Sequence, residues 1–156
     1  MPDTTVPTRL AAVLPGRWHL QATDYRPILA RDRQAAHFEW QLRGTEPLVF
    51  DGRGARASED GGSREVRATL VWRDDHFVWR GRGVLALVSG RVEVAGVSAE
   101  GDITAFRFAR TLIGPDAILV LARDEVDAEV VRSRVALAEG NLGLEPEEFA
   151  RLTWLG

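Results

Sequence analysis

From Gly16 onward the chain alternates bulky apolar and polar residues, and this two-residue period is what most limits its fold. Trp18, Leu20 and Ala22 leave one side of a strand, while Arg17, His19, Gln21 and Thr23 leave the other. A half-buried β-strand requires this, because successive side chains point to opposite faces. The pattern returns with Phe38, Trp40 and Leu42 against His37, Glu39, Gln41 and Arg43. It returns again with Val66, Ala68, Leu70 and Trp72 against Glu65, Arg67, Thr69 and Arg73. Asp74-Asp75 turns the chain, and Phe77 and Trp79 resume the apolar face. A shorter third strand is predicted over Leu48 to Arg53, loosened by Gly52 and Gly54. Val84 to Val88 fits a strand or a helical turn. Arg91 to Val97 reads as a sixth strand, and Phe106 and Phe108 share one face of a seventh.

The eighth strand differs. Ala117 to Ala122 is apolar on both sides, so both must be covered. A helix follows, with Asp127 as N-cap, Val131, Val135 and Ala138 at helical spacing, and Gly140 at its end. In a second, short helix Pro146 suits the first position, Glu147 and Glu148 the positive dipole end, and Phe149 and Leu152 the apolar stripe. The expectation is one domain: a flexible start over 1–15, a barrel over 16–123, and a helical tail over 124–156 packed outside it. The fold class is all-β with a C-terminal helix. About eight antiparallel strands joined by hairpins close into an up-and-down barrel or stack as a flat sandwich; closure is the expectation because it removes exposed edges.

Composition narrows the chemistry. A chain of 156 residues, 45% hydrophobic and 28% charged, can bury a real core without staples. Cysteine is absent, so disulfides, thiolate metal ligands and a cysteine nucleophile are excluded. All 20 basic residues are arginine, which rules out a Schiff-base lysine and a P-loop lysine. A net charge of −3 offers no general attraction to nucleic acid or to anionic membranes. Met1 to Pro15 lack the basic and apolar regions of a secretion signal, and no apolar run approaches the length of a membrane span, so a cytoplasmic protein is expected.

Gly16-Arg17-Trp18 at the head of the first strand, about eight antiparallel strands and a C-terminal helix resemble the lipocalins and the wider calycin group. Trp79-Arg80-Gly81-Arg82-Gly83, Arg107-Phe108-Ala109-Arg110-Thr111 and Arg151-Leu152-Thr153-Trp154-Leu155 look like bacterial lipocalin-like proteins. The resemblance implies that Trp18 sits at the closed end of a barrel, packed by an arginine from the end of the last strand. Arg123 is the best match for that arginine, with Arg110 as the rival. Lipocalins often carry a Thr-Asp-Tyr turn between the sixth and seventh strands; here Thr23-Asp24-Tyr25 follows the first strand and is read as coincidence.

An eight-stranded barrel either fills with side chains or holds one small ligand. The candidate ligand wall is aromatic: Phe38, Trp40, Trp72, Phe77, Trp79, Phe106 and Phe108; Gly16, Trp18 and Arg123 are the candidate structural set. The leading expectation is binding of a small hydrophobic or aromatic molecule without catalysis, by a monomer or homodimer with no cofactor. One alternative reverses the faces, so that His37, Glu39, Arg67 and Thr69 line the cavity as the acid–base cluster of an isomerase or cyclase. Another is a solidly filled barrel acting as a protein-interaction module. None of His19, His37 and His76 has a partner at metal-ligand spacing, and no metal is expected.

Overall fold

Eight strands run antiparallel in chain order: β1 (Gly16–Thr23), β2 (His37–Thr45), β3 (Leu48–Ala57), β4 (Ser63–Arg73), β5 (His76–Gly81), β6 (Ser89–Val97), β7 (Ile103–Phe108) and β8 (Ala117–Ala122). Each pairs with its neighbours, and β1 pairs with both β8 and β2, so the sheet closes on itself. The chain therefore adopts the closed barrel and not the sandwich. Among the described residues, three helices, α1 (Thr5–Val13), α2 (Ala128–Leu137) and α3 (Pro146–Ala150), and a two-residue strand β9 (Thr153–Trp154) accompany the barrel. The computed structural model describes residues 5–25, 36–57, 63–111, 115–123, 126–137 and 142–155. The predicted helix end at Ala138 and Gly140 lies outside them.

β1 is divided between partners. Its first half, Gly16 to His19, pairs with Trp40 to His37 of β2, and its last residues, Ala22 and Thr23, pair with β9. Against β8 its register slips between Leu20 and Ala22. This bulge reverses the alternation of side chains. Trp18 and Leu20 consequently enter the barrel, whereas Ala22 joins the apolar layer outside it. The expectation that all three share a face fails at Ala22 for that reason. The third strand is longer than predicted, because Gly52 and Gly54 stay in the ladder with β2 and β4. Gly83–Leu85 forms one turn of 3-10 helix, which resolves the ambiguity of that segment.

Two apolar cores share β8, all six residues of which are buried. Leu119 and Leu121 face the barrel interior with Trp40, Phe50, Phe77 and Phe106. Ile118, Val120 and Ala122 face outward onto Val131 and Val135 of α2 and onto Leu142 and Leu152. Asp127 caps the start of α2, its carboxylate accepting from the Glu129 amide at 2.9 Å. Arg134 of α2 reaches Asp102 at 2.7 Å and Glu100 at 2.8 Å in the β6–β7 turn. Arg107 of β7 binds both carboxylate oxygens of Glu148 in α3 at 2.7 Å. Two forked arginines thus hold the tail on the barrel wall.

The start of the chain corrects the sequence reading. The sequence pattern predicts a flexible start over residues 1–15, whereas Thr5–Val13 is helical and packs on one end of the barrel. Leu10 and Leu14 are buried there against Trp18, and the Trp18 indole donates to the Leu14 carbonyl at 2.9 Å. Apolar residues at this spacing gain enough burial to order a helix that propensity alone would not. Arg123, one residue past β8, lies with its guanidinium carbon 4.0 Å from the Trp18 ring centre. It also donates to the carbonyls of Val13 (2.6 Å), Pro15 (2.8 Å) and Arg17 (3.0 Å). Gly16 permits this approach: its φ is +111°, and a Cβ there would lie 2.7 Å from Arg123 Nη1.

Two outcomes follow for stability in urea. Arg123→Ala loses a stacked cation and three charge-assisted hydrogen bonds, and unfolding free energy falls by about 2–4 kcal/mol. Arg123→Lys restores less than half of that loss, because an ammonium cannot fork across three carbonyls. Asp102 is held below the ordinary carboxylate range chiefly by its hydrogen bonds from Arg134, which outweigh the opposing effect of burial, with the Ser98 hydroxyl adding to the lowering. Its contribution is therefore full above its unfolded pKa of about 4 and is lost as pH falls through the lower folded value. Asp102→Asn is less stable than the parent by about 1 kcal/mol at pH 7, and the difference narrows as the pH falls below the ordinary carboxylate range and through the lowered folded value.

Candidate functional site

The end of the barrel opposite α1, where β1 and β7 finish and β2 and β8 begin, carries a cavity of about 160 Å³ that opens to solvent. Its aromatic wall is Tyr25, Phe38, Trp79 and Phe108. Ala117 and Leu119 of β8 complete the interior side, and Ala109, Thr111 and Pro115 border it from the β7–β8 connection. The lining is almost wholly apolar; Tyr25 and Thr111 supply its hydroxyl groups.

Register explains how such large rings fit. In the cross-strand pairs Trp40 faces Gly52, Phe38 faces Gly54, and Trp79 faces Gly90. A ring can then lie across the bare backbone of the neighbouring strand. A Cβ on Gly52 would run into the six-membered ring of Trp40, and one on Gly90 would stand 2.7 Å from Trp79 Nε1 and 2.8 Å from the Thr111 methyl. Phe38 stacks on Trp40, with centroids 6.1 Å apart and planes 15° apart, and Trp40 tilts against Phe106 at 6.1 Å. Among the described residues, the buried indole nitrogens of Trp40 and Trp79 have no hydrogen-bond partner.

The structure divides the seven candidate wall residues. Phe38, Trp79 and Phe108 line the cavity. Trp40 and Phe106 are buried in the core beside them, 7% and 1% exposed. Trp72 and Phe77 lie towards the closed end, packed edge to face at 5.0 Å. Sequence reasoning missed Tyr25, Ala117 and Leu119. Tyr25 is delivered by the tripeptide read as coincidence: Thr23 Oγ1 donates to the Ile118 carbonyl at 2.7 Å, and Asp24 accepts from the Ile118 amide at 2.8 Å. The tie joins β1 to β8 at the open end. The two-sided apolar pattern of β8 was the available signal for Ala117 and Leu119.

The alternative in which the polar stripe lines the cavity is corrected. Glu39 and Arg67 are exposed, and with Arg43, Asp51, Arg53 and Arg82 they border a separate outer cleft of about 180 Å³. There Arg67 pairs with Glu65 at 2.7 Å, Arg82 pairs with Asp51 at 2.9 Å, and Arg82 donates to Thr69 at 3.0 Å. The rings that would have had to face solvent face inward instead, where burial favours them. His37 stands opposite His19 across β1 and β2, with ring centroids 6.3 Å apart. Loop closure between the two strands makes that pair, which no sequence spacing reveals. Among the described residues no three or more metal-ligating side chains converge.

No family model and no curated protein matches this chain. Solved structures do. Lobster apocrustacyanin A1 superposes with a TM-score of 0.66 at 12% identity, covering 99% of this chain and 85% of that one. The amine-binding protein of Rhodnius prolixus, in its tryptamine complex, gives 0.56 at 12% identity over 91% of this chain and 77% of that one. A redesigned β-barrel gives 0.51 at 16% identity over 75% and 96%. At these identities the likeness shows the fold: an eight-stranded antiparallel up-and-down barrel of the lipocalin type, with a C-terminal helix.

The ring-over-glycine arrangement is open to a direct check. Gly52→Ala forces Trp40 away from a position fixed by Phe38 and Phe106, and thermal or urea unfolding shows a loss of about 1–3 kcal/mol. Combining Gly52→Ala with Trp40→Phe recovers part of the loss, because the shorter ring clears the new methyl.

Proposed function

We propose that this protein binds a small, uncharged hydrophobic molecule of one or two aromatic rings at the open end of its barrel, without transforming it. The observation that carries this reading is the aromatic-walled cavity of about 160 Å³ at the open end of the barrel, beside a cluster of buried apolar side chains. An engineered cavity of about 150 Å³ in an unrelated protein takes up benzene, so the space suits a ligand of that scale, with the mouth leaving room for a second ring. Among the described residues no carboxylate or guanidinium lines it, and none of them would repay a charged ligand for its lost hydration.

The binding force is desolvation against preformed walls. Burying about 200 Å² of ligand at about 25 cal/mol per Å² supplies about 5 kcal/mol before the entropy of immobilisation is subtracted. That places single-ring ligands in the high-micromolar to millimolar range and larger ones below it. The fold likeness is consistent with this reading, and the amine-binding neighbour was itself crystallised with a small aromatic molecule, tryptamine.

Naphthalene and indole titrated into the protein quench or shift its tryptophan emission, because Trp79 forms part of the wall. Ala117→Phe fills the same space from β8 and abolishes the effect while the far-ultraviolet circular dichroism stays unchanged. Unaltered emission in the parent protein across such a panel, or full binding by the filled variant, refutes the assignment.

A further inference from the structure

The outer face of the barrel carries three arginines in one cross-strand row. Arg53 of β3 stands directly opposite Arg67 of β4. The amide of Arg82, one residue past β5, donates to the Arg67 carbonyl at 3.0 Å, so Arg82 extends the row onto a third strand. Strands lie about 5 Å apart, and like charges facing one another at that spacing repel. Two carboxylates are interleaved, and each is shared by two arginines. Asp51 accepts from Arg43 and, at 2.9 Å, from Arg82. Glu65 pairs with Arg67 at 2.7 Å and with Arg53 at 3.2 Å. Asp51 is mostly covered, whereas the four guanidinia are each more than half exposed. The covered carboxylate is a strut that fixes two exposed cations. Among the described residues, Arg43 and Arg67 donate side-chain hydrogen bonds through Nε alone, which leaves their forked terminal nitrogens to another acceptor.

All four arginines border the outer cleft of about 180 Å³, together with Glu39 and Asp51. We propose that this cleft binds a phosphate group, either free or as the monoester of a small molecule. With Glu65 included, four guanidinia there meet three carboxylates, so the cleft is locally positive on a chain of net charge −3. A phosphate dianion offsets the repulsion along the row, and its several oxygens accept from more than one guanidinium edge. A carboxylate ligand brings a single charge and two oxygens, and serves fewer of them. Arginine suits the role because its fork is planar, always charged and more weakly hydrated than an ammonium. Asp51 and Glu65 keep their arginines, and the phosphate takes the terminal nitrogens. Glu39 opposes the ligand, since its carboxylate borders the same cleft. The site stands on the outer wall and does not depend on the aromatic cavity.

The test titrates sodium phosphate and glycerol 3-phosphate at pH of about 7.5, where a monoester carries close to two charges. Sodium chloride holds the ionic strength constant, so general screening cancels. In ¹H–¹⁵N spectra the arginine Nε–H signals of Arg53, Arg67 and Arg82 shift saturably with both ligands, and sodium acetate at equal concentration does not move them. Arg67→Gln weakens phosphate by about 10-fold, the loss of one charge-assisted contact. Arg67→Lys keeps the charge but recovers less than half of that loss, because an ammonium has no fork. Glu39→Gln removes the opposing carboxylate and tightens binding by about 3-fold. Arg73→Gln, an exposed cation at the far end of β4, leaves binding within about 2-fold of the parent. Tighter binding of glycerol 3-phosphate than of inorganic phosphate assigns the monoester as occupant, and the reverse order assigns the free ion. No saturable shift with either ligand, shifts that acetate reproduces, or equal losses from Arg67→Gln and Arg73→Gln overturn the proposal.

Discussion

The contact between Arg123 and Trp18 is where the architecture is tied off. One guanidinium covers the indole at 4.0 Å and donates to the carbonyls at the end of α1 and the start of β1. The end of the eighth strand, more than 100 residues away in sequence, meets the junction of the first helix and first strand in that one group. A cation at a helix C-terminus is favoured by the peptide dipoles, and its planar face is satisfied by the ring. With that end covered, the cavity among the described residues lies at the opposite end.

Inside, space is allotted by the ladder. A wide aromatic ring placed against another large side chain would overfill an eight-stranded barrel. Glycines directly across from Phe38, Trp40 and Trp79 lower the neighbouring wall and let the rings lie flat. Trp40, Phe50, Phe77 and Phe106 are buried together in the core, and the cavity lies where Ala117 presents a small side chain. Two buried indole nitrogens, of Trp40 and Trp79, have no partner among the described residues.

The outside obeys different physics. Arginine supplies every cation, and its forked geometry is used twice to hold the tail, on Asp102 and on Glu148. Both pairs depress the acid and raise the base, so the attachment is a charge-assisted one. Elsewhere arginines share carboxylates, as Arg53 from β3 and Arg67 from within β4 do with Glu65 of β4. Exposed pairs of that kind contribute little stability but keep the outer face hydrated. The helices cover the one strand, β8, whose outer face could not be left wet.

Much of this was written in the chain itself. Period-two alternation from Trp18 to Phe108 names the strands and their inward faces, and the unbroken apolar run of β8 announces that something must cover it. Both follow from local geometry, because a strand has only two sides. Other features had no local signal. The bulge that turns Ala22 outward, the meeting of His19 with His37, and the glycines beneath the tryptophans all depend on register between strands far apart in sequence. The helix at residues 5–13 exists because a barrel end was there to be sealed. Whether aromatic residues fill an interior or leave a cavity is a difference of a few side-chain volumes, summed over strands that the sequence keeps apart. Pairing decides that sum, and only the folded barrel sets the pairing.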